Sequence, residues 1–264
     1  MLVVVDDSLP LTDRGLHYGD GLFETMAVQE GRVRLMDLHL ARLARGAARL
    51  AIPLADAEGL AAALATAAAD MGEGVLKLIL TRGSGGRGYL PPEEPSPSLI
   101  LQRHPPVVPE GQAGVTVRLC DLRLARQPVL AGLKHLNRLE QVLARAEWRD
   151  PAIAEGLMFD REGLLVEGVA SNVFLVREGR LQTPLLDQCG VAGVMRAHVM
   201  QRAAALGLTV QETRLVLDDL LAAEEVFLTN SLHGIRPVIG LLGRRAWAVG
   251  PVTRALQAGL WGAS

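Results

Sequence analysis

The stretch Val166-Glu167-Gly168-Val169-Ala170-Ser171-Asn172-Val173-Phe174 decides how the second half of this chain is read. An apolar run from Leu164 ends on a glutamate, a glycine opens a small-residue turn, and a second apolar run continues to Val176. β-Branched and aromatic residues on either side of such a turn predict two strands, Leu164–Glu167 and Asn172–Val176. Read alone, this is an ordinary hairpin. Working outward, strands are expected at Val115–Leu119, near Glu155–Asp160, at Val210–Leu215 and at Glu225–Thr229. Helices are expected at Asn137–Trp148, Val194–Leu206 and Asp218–Ala223.

The first half shows the same mixture. After an apolar, β-branched Leu2–Val5, Gly21–Val28 reads as a strand, and Glu30-Gly31 suits a tight turn into a strand at Arg32–Leu35. Leu38, Leu40, Leu43, Ala47 and Leu50 recur at helical spacing over Met36–Leu50, and Asp56 can cap a helix running to Met71. Strands follow at Val75–Thr81 and Ser98–Gln102. Between Arg103 and Gly114 come three prolines without periodicity, a linker signal because proline lacks the backbone donor that helix and sheet need. The expected organisation is a smaller α+β domain (1–104), a linker (105–114) and a larger α+β domain (115–264). Strict βα alternation is missing, so the class is α+β in two lobes.

The 264 residues are 49% apolar, enough for a large core and too apolar for intrinsic disorder. A net charge of -2 and 3% aromatics argue against nucleic acid, an anionic membrane surface or a base-stacking platform. Cys120 and Cys189 make neither a disulfide framework nor, by themselves, a zinc site. The start, Met-Leu-Val-Val-Val-Asp-Asp, lacks the basic region of a signal peptide, and Leu60–Ala69 is too short and alanine-rich to span a bilayer. A cytoplasmic protein is expected.

Several stretches hold residues suited to chemistry. Gly83-Ser-Gly-Gly-Arg-Gly88 matches a dinucleotide fingerprint formally, but Pro91, Pro92 and Pro95 forbid the helix that would hold a pyrophosphate. It is a loop, with Arg87 as a possible substrate contact. Lys134, between apolar residues, is by default a snorkelling side chain, although partial burial lowers a lysine's pKa and makes it a nucleophile or base. Cys189-Gly-Val-Ala-Gly-Val-Met-Arg196 runs a glycine turn into a helix start whose N–H groups suit an anion. Thr229-Asn-Ser231 offers small polar groups, and Arg42 in His39-Leu-Ala-Arg-Leu43 is by default solvated.

Taken in order, His39-Leu-Ala-Arg-Leu43, Lys134, Glu167-Gly-x-x-Ser-Asn-x-Phe174, the glycine-led helix start and Thr229-Asn-Ser231 resemble the fold-type IV pyridoxal-phosphate enzymes, a group of branched-chain and D-amino-acid aminotransferases and a lyase, and the resemblance runs over nearly the whole chain. It implies pyridoxal 5'-phosphate as cofactor, bonded covalently by Lys134, and Glu167 keeping the pyridine nitrogen protonated. It also implies a phosphate site from Arg42, Asn230, Ser231 and the backbone at Gly193, Val194 and Met195, with Asn172 nearby and Val191 on the ring face. A homodimer and no metal are implied as well. Met195 stands where the aminotransferases usually carry Thr, so it can serve only through its N–H. Asn230-Ser231 likewise replaces their common Gly-Thr pair.

Thr81-Arg-Gly-Ser-Gly-Gly-Arg-Gly-Tyr89 and Lys134-His-Leu-Asn-Arg-Leu-Glu-Gln-Val142 resemble the lyase branch, which acts on 4-amino-4-deoxychorismate. The implied reaction is α-proton removal by Lys134, then β-elimination that releases pyruvate and leaves the aromatic 4-aminobenzoate for folate biosynthesis. Arg87, and secondarily Arg126, are the implied holders of the substrate's two carboxylates. An aminotransferase for D-amino or branched-chain amino acids is the alternative that the same scaffold allows.

Overall fold

A computed structural model of the chain describes residues 9–54 and 56–260, so the apolar stretch Leu2–Val5 lies outside the described residues. The chain forms two units, Met1–Val107 with Leu133–Arg138, and Val108–Gly132 with Leu139–Ser264. Residues 105–110 carry no regular structure. The return of Leu133–Arg138 to the first unit had no composition signal.

In the first unit, helix α1 (Arg14–Tyr18) leads into strands β1 (Gly21–Gln29) and β2 (Arg32–Val33), helices α2 (Met36–Arg49) and α3 (Ala57–Met71), and strands β3 (Gly74–Thr81) and β4 (Ser98–His104). The strands make one antiparallel sheet in the order β2-β1-β3-β4. The β1–β2 turn has Glu30 at φ 51 and Gly31 at φ 71, the paired positive φ that matches strand twist in a two-residue hairpin. β2 stops at Val33, short of the expected Leu35, because Leu35 turns to φ 53 at the cap of α2.

Along β1 the buried face carries Leu22, Glu24, Met26 and Val28, while Phe23, Thr25 and Ala27 are less buried. Leu22, Met26 and Val28 join Leu43, Ala47, Leu64, Leu76, Leu78 and Leu80 in the core. α2 comes so close to β1 that a Cβ on Gly46 would stand 2.8 Å from Leu22 Cδ1. α3 starts where expected, with Asp56 accepting the Gly59 N–H at 2.7 Å. Because β2 pairs β1 only at Val28 and Gln29, the other end of that edge is open, and residues 134–136 fill it. Phe23 N–H donates to Lys134 C=O and Leu136 N–H to Gly21 C=O, both at 3.0 Å.

The second unit holds strands β5 (Val115–Leu124), helix α4 (Leu139–Arg145), β6 (Ile153–Asp160), β7 (Leu165–Gly168), β8 (Asn172–Arg177) and β9 (Arg180–Pro184). Helix α5 (Val194–Ala205), β10 (Val210–Thr213), α6 (Leu217–Ala222), β11 (Glu225–Asn230), β12 (Gly234–Leu241), β13 (Arg245–Ala246) and α7 (Pro251–Ala258) complete it. The sheet runs β10-β9-β8-β11-β12-β5-β6-β7, with β13 on β12. Leu165 N–H donates to Leu215 C=O at 2.8 Å, which brings the β7 end back to the chain after β10 and curls the sheet. Both expected strands form, but not the hairpin: β7 pairs with β6 and β8 with β11 and β9, and among the described residues only the turn bond from Gly168 N–H to Ser171 C=O joins them. β8 and β11 are buried on both faces, and the cross-strand partners Phe174 and Phe227 stack with centroids 5.0 Å apart.

Mixed parallel and antiparallel pairing fits the expected α+β class. α4 is shorter than the expected Asn137–Trp148: Asn137 donates its amide to Gly19 C=O and Arg138 Nε bonds His135 C=O, so both belong to the extended segment before the helix. β12 had no strand signal, since Pro237 demotes a run. The strand tolerates it because pairing with β5 begins only at Val238. Among the described residues no helix is long and apolar enough to cross a membrane.

Candidate active site

In the first unit, Lys134 lies in the extended segment along β1 and not at a helix start, with its Nζ 4.2 Å from the centroid of the Phe23 ring. On the opposite face of β1, Glu24 takes two residues of α2. Arg42 Nε donates to Oε1 at 2.8 Å and Nη2 to Oε2 at 2.5 Å, while His39 Nδ1 lies 2.6 Å from Oε2. His39 and Arg42, three apart, share one helix face. Burial pushes the Glu24 carboxyl up, but the hydrogen bonds from Arg42 and His39 overcome it and pull it down to about 2. The His39 pKa is lowered by burial and by the charges of Arg42 and Lys134, against the pull of Glu24. An ionised carboxylate only accepts, so the neutral ring carries its proton on Nδ1, and Nε2 is buried without a hydrogen-bond partner among the described residues. Arg42 is therefore a buried, clamped side chain and not a solvated one.

The Gly83–Gly88 loop is a loop, as expected, and both ends are pinned. Asp20 accepts Arg82 through Nε and Nη2 at 2.8 and 3.0 Å and Arg14 through Nε at 2.9 Å. Arg14 also donates to the carbonyls of Gly88, Tyr89 and Leu90 at 2.9–3.3 Å. Arg87, on the exposed tip, makes no hydrogen bond or ion pair among the described residues.

In the second unit a single turn gathers most of the remaining candidates. Glu167, buried at the end of β7, accepts the Val191 N–H on Oε2 at 2.8 Å and the Gln141 amide on Oε1 at 3.4 Å. Asn172, at the start of β8, donates to Val191 C=O at 2.8 Å. Gly190, at φ 86, accepts from Gly132 N–H, and Ala192 N–H donates back to Gly132 C=O. Gly193 then caps α5 with no side-chain hydrogen bond. The first helical bond is Ala197 N–H to Gly193 C=O, so the N–H groups of Val194, Met195 and Arg196 have no partner within the helix. The Met195 side chain is buried in the core, consistent with a role through its N–H alone.

The Asn230 side chain is held at both ends. Its amide nitrogen donates to Ser171 Oγ at 3.2 Å, and its oxygen accepts the backbone N–H groups of Leu232 and His233 at 3.1 and 2.8 Å. Behind it, Ser171 Oγ donates to Glu155 Oε2 at 2.8 Å and Arg236 Nη2 bonds both. Ser231 is half-buried beside this network. Arg126 lies 3.7 Å from Asp160 and pairs with Glu162, while its buried Nε has no hydrogen-bond partner among the described residues.

These residues fit a pyridoxal-phosphate group. The uncapped α5 terminus suits a phosphate, and next to it Thr229, the β-sheet partner of Asn172, keeps a buried Oγ1 without a hydrogen-bond partner. A Cβ at Gly193 would stand 2.0 Å from Asn172 Oδ1, so the glycine is what lets the helix start lie against β8. Sequence reasoning missed Glu24, Asp20, Arg14 and Glu155. Glu24 did leave a signal: an acid in the period-two row Leu22, Met26, Val28. Among the described residues no group of His, Cys, Asp and Glu could hold a metal ion.

Residues 21–241 match the amino-transferase class IV family, and the chain belongs to that family, which is enzymatic and pyridoxal-phosphate-dependent. Within it, the chain is similar to aminodeoxychorismate lyases. It is 53% identical to the crystal structure of 4-amino-4-deoxychorismate lyase from Pseudomonas aeruginosa, with a TM-score of 0.93 over 97% of this chain and 95% of that one. It is 35% identical to the aminodeoxychorismate lyase of Vibrio harveyi over 96% of this chain and 95% of the relative. The branched-chain amino acid aminotransferase of Escherichia coli is also similar, at 25% identity and a TM-score of 0.84 over 97% and 89%.

Proposed function

We propose that this enzyme is a pyridoxal-phosphate-dependent lyase that converts 4-amino-4-deoxychorismate to 4-aminobenzoate and pyruvate. The likeness to the Pseudomonas lyase, 53% identity over nearly the full length of both chains, carries the reading. When bound, the cofactor supplies an electron sink that makes the carbon bearing the substrate's amine acidic. Lys134 is the residue proposed to hold it covalently and then to take the α-proton on Nζ. Glu167 would keep the proton on the ring nitrogen, its carboxylate fixed by the bond from Val191 N–H, and the Val191 side chain would pack on the ring. Arg42, the N–H groups of Val194 and Met195, and Ser231 are the proposed phosphate donors. Asn172 and Asn230 act by shaping the turns at Val191–Gly193 and Leu232–His233. Loss of the α-proton expels the enolpyruvyl oxygen from the adjacent carbon, the six-membered ring becomes aromatic, and the departing enolate takes a proton to become pyruvate. Arg87 is the proposed partner of a substrate carboxylate. A homodimer working in the cytoplasm belongs to the same reading.

Incubation of the holoenzyme with 4-amino-4-deoxychorismate and no keto acid tests it. Equal amounts of 4-aminobenzoate and pyruvate are expected. Turnover only when a keto-acid acceptor is added would overturn the lyase reading in favour of an aminotransferase.

A further inference from the structure

Glu24 sits in an apolar row and is 2% exposed, with His39 at 1% and Arg42 at 7%. An ion pair in such a place gains little net stability, because desolvation offsets most of the attraction and a well-packed apolar pair does as well. The arrangement therefore calls for a reason beyond packing. Its chemistry points to one: a guanidinium stays charged in a protein and is the side chain best shaped to grip a phosphate, and here two of its three nitrogens are spent on Glu24. The geometry points the same way. Glu24 grips the Nε–Nη2 edge of the guanidinium with both oxygens, which fixes its plane and turns the Nη1 edge away from Glu24. A long arginine side chain otherwise has many rotamers to lose when it binds a ligand.

We infer that Glu24 is a positioning residue for the cofactor's phosphate: it holds Arg42 in the one orientation that binds the phosphate, with His39 bracing the carboxylate from α2. The inference rests on the reading of Arg42 as a phosphate ligand. Glu24 need not touch the cofactor. Its effect must therefore appear in affinity for the phosphate and must pass through Arg42, which a purely structural ion pair would not require.

The test titrates the full chain, freed of cofactor, with pyridoxal phosphate and separately with pyridoxal, which lacks the phosphate. Glu24→Gln keeps the shape but loses the charge and turns one acceptor into a donor facing Arg42. It is expected to weaken pyridoxal phosphate at least tenfold and to leave pyridoxal within twofold. Arg42→Lys is expected to show the same selective loss, and adding Glu24→Gln to it should change little more, since the two act as a unit. If Glu24→Gln does not fold, Glu24→Asp, with a shorter arm, should show a smaller loss of the same phosphate-dependent kind. Nitrogen NMR of His39 gives a cofactor-free readout: the Nδ1–H tautomer in the parent, and its loss in Glu24→Gln. Equal weakening of both ligands by the Glu24 variants, or full additivity with Arg42→Lys, overturns the inference while leaving Arg42 as a ligand. An Arg42→Lys variant that discriminates between the ligands as the parent does overturns the underlying reading instead, and the inference with it.

Discussion

Replacing Gly193 by alanine isolates a steric demand from a backbone one. Gly193 has φ -65 and ψ 142, a conformation that alanine adopts freely, so the substitution costs nothing in backbone strain. The added Cβ would lie 2.0 Å from Asn172 Oδ1, far inside contact distance. The Asn172 side chain must rotate, and its 2.8 Å hydrogen bond to Val191 C=O goes with it. Losing that bond costs about 1–1.5 kcal/mol, crowding a packed site costs about 1–3, and alanine caps a helix slightly worse than glycine. Some relaxation is shared between these effects, so the expected loss is about 2–4 kcal/mol. Urea unfolding of the cofactor-free chain measures it. The same substitution in an Asn172→Ala background, which removes the obstructing oxygen, should cost less than about 1 kcal/mol. A Gly193→Ala variant as stable as the parent, or one with the same cost in both backgrounds, would refute the reasoning. Cofactor affinity should fall together with stability, because the same crowding displaces the start of α5.

Lys134→Ala should abolish both turnover and covalent trapping of the cofactor by borohydride; trapping that persists would move the anchor elsewhere, with Lys77 in β3 the first to examine. Arg87→Lys should raise KM for aminodeoxychorismate with cofactor content intact, by about 1–3 kcal/mol in kcat/KM, since lysine keeps the charge but not the two-pronged donor. Asp20→Asn should do the same from a distance by loosening both ends of the loop, seen as faster hydrogen exchange over residues 83–90; unchanged exchange would argue against the pinning. Stability should fall on acidification in two stages. The His39 pKa is lowered in the fold, so below about pH 6.5 the unfolded chain takes a proton that the folded one refuses. Glu24 is held near 2 against an ordinary 4.5, so its contribution, about 3 kcal/mol, is present above 4.5 and is lost as pH falls from there towards 2. Glu24→Gln should flatten the lower stage, and unfolding midpoints in urea across this range would show it.

What the sequence by itself determined is what short-range physics encodes. The β1–β2 turn followed from Glu30-Gly31, the start of α3 from Asp56, and the course of α2 from leucines at helical spacing. The absence of a nucleotide helix after Gly88 followed from three prolines. The order of the motifs, from His39-Leu-Ala-Arg-Leu43 to Thr229-Asn-Ser231, identified the family because each is a contiguous run. Only the tertiary structure decided which side chains are spent on one another. Glu24 meets Arg42 across 18 positions, Arg14 reaches Gly88 across 74, and Asn230 turns to Ser171 across 59. Lys134 looked like the prelude to a helix, but an open strand edge beside β2 drew its segment into an extended course. Arg126 meets Asp160 across 34 positions and Glu162 across 36, neighbours that only the fold supplies. In each case the deciding contact is a hydrogen bond or ion pair between residues distant in the chain, and a buried donor or acceptor takes whichever partner the fold delivers.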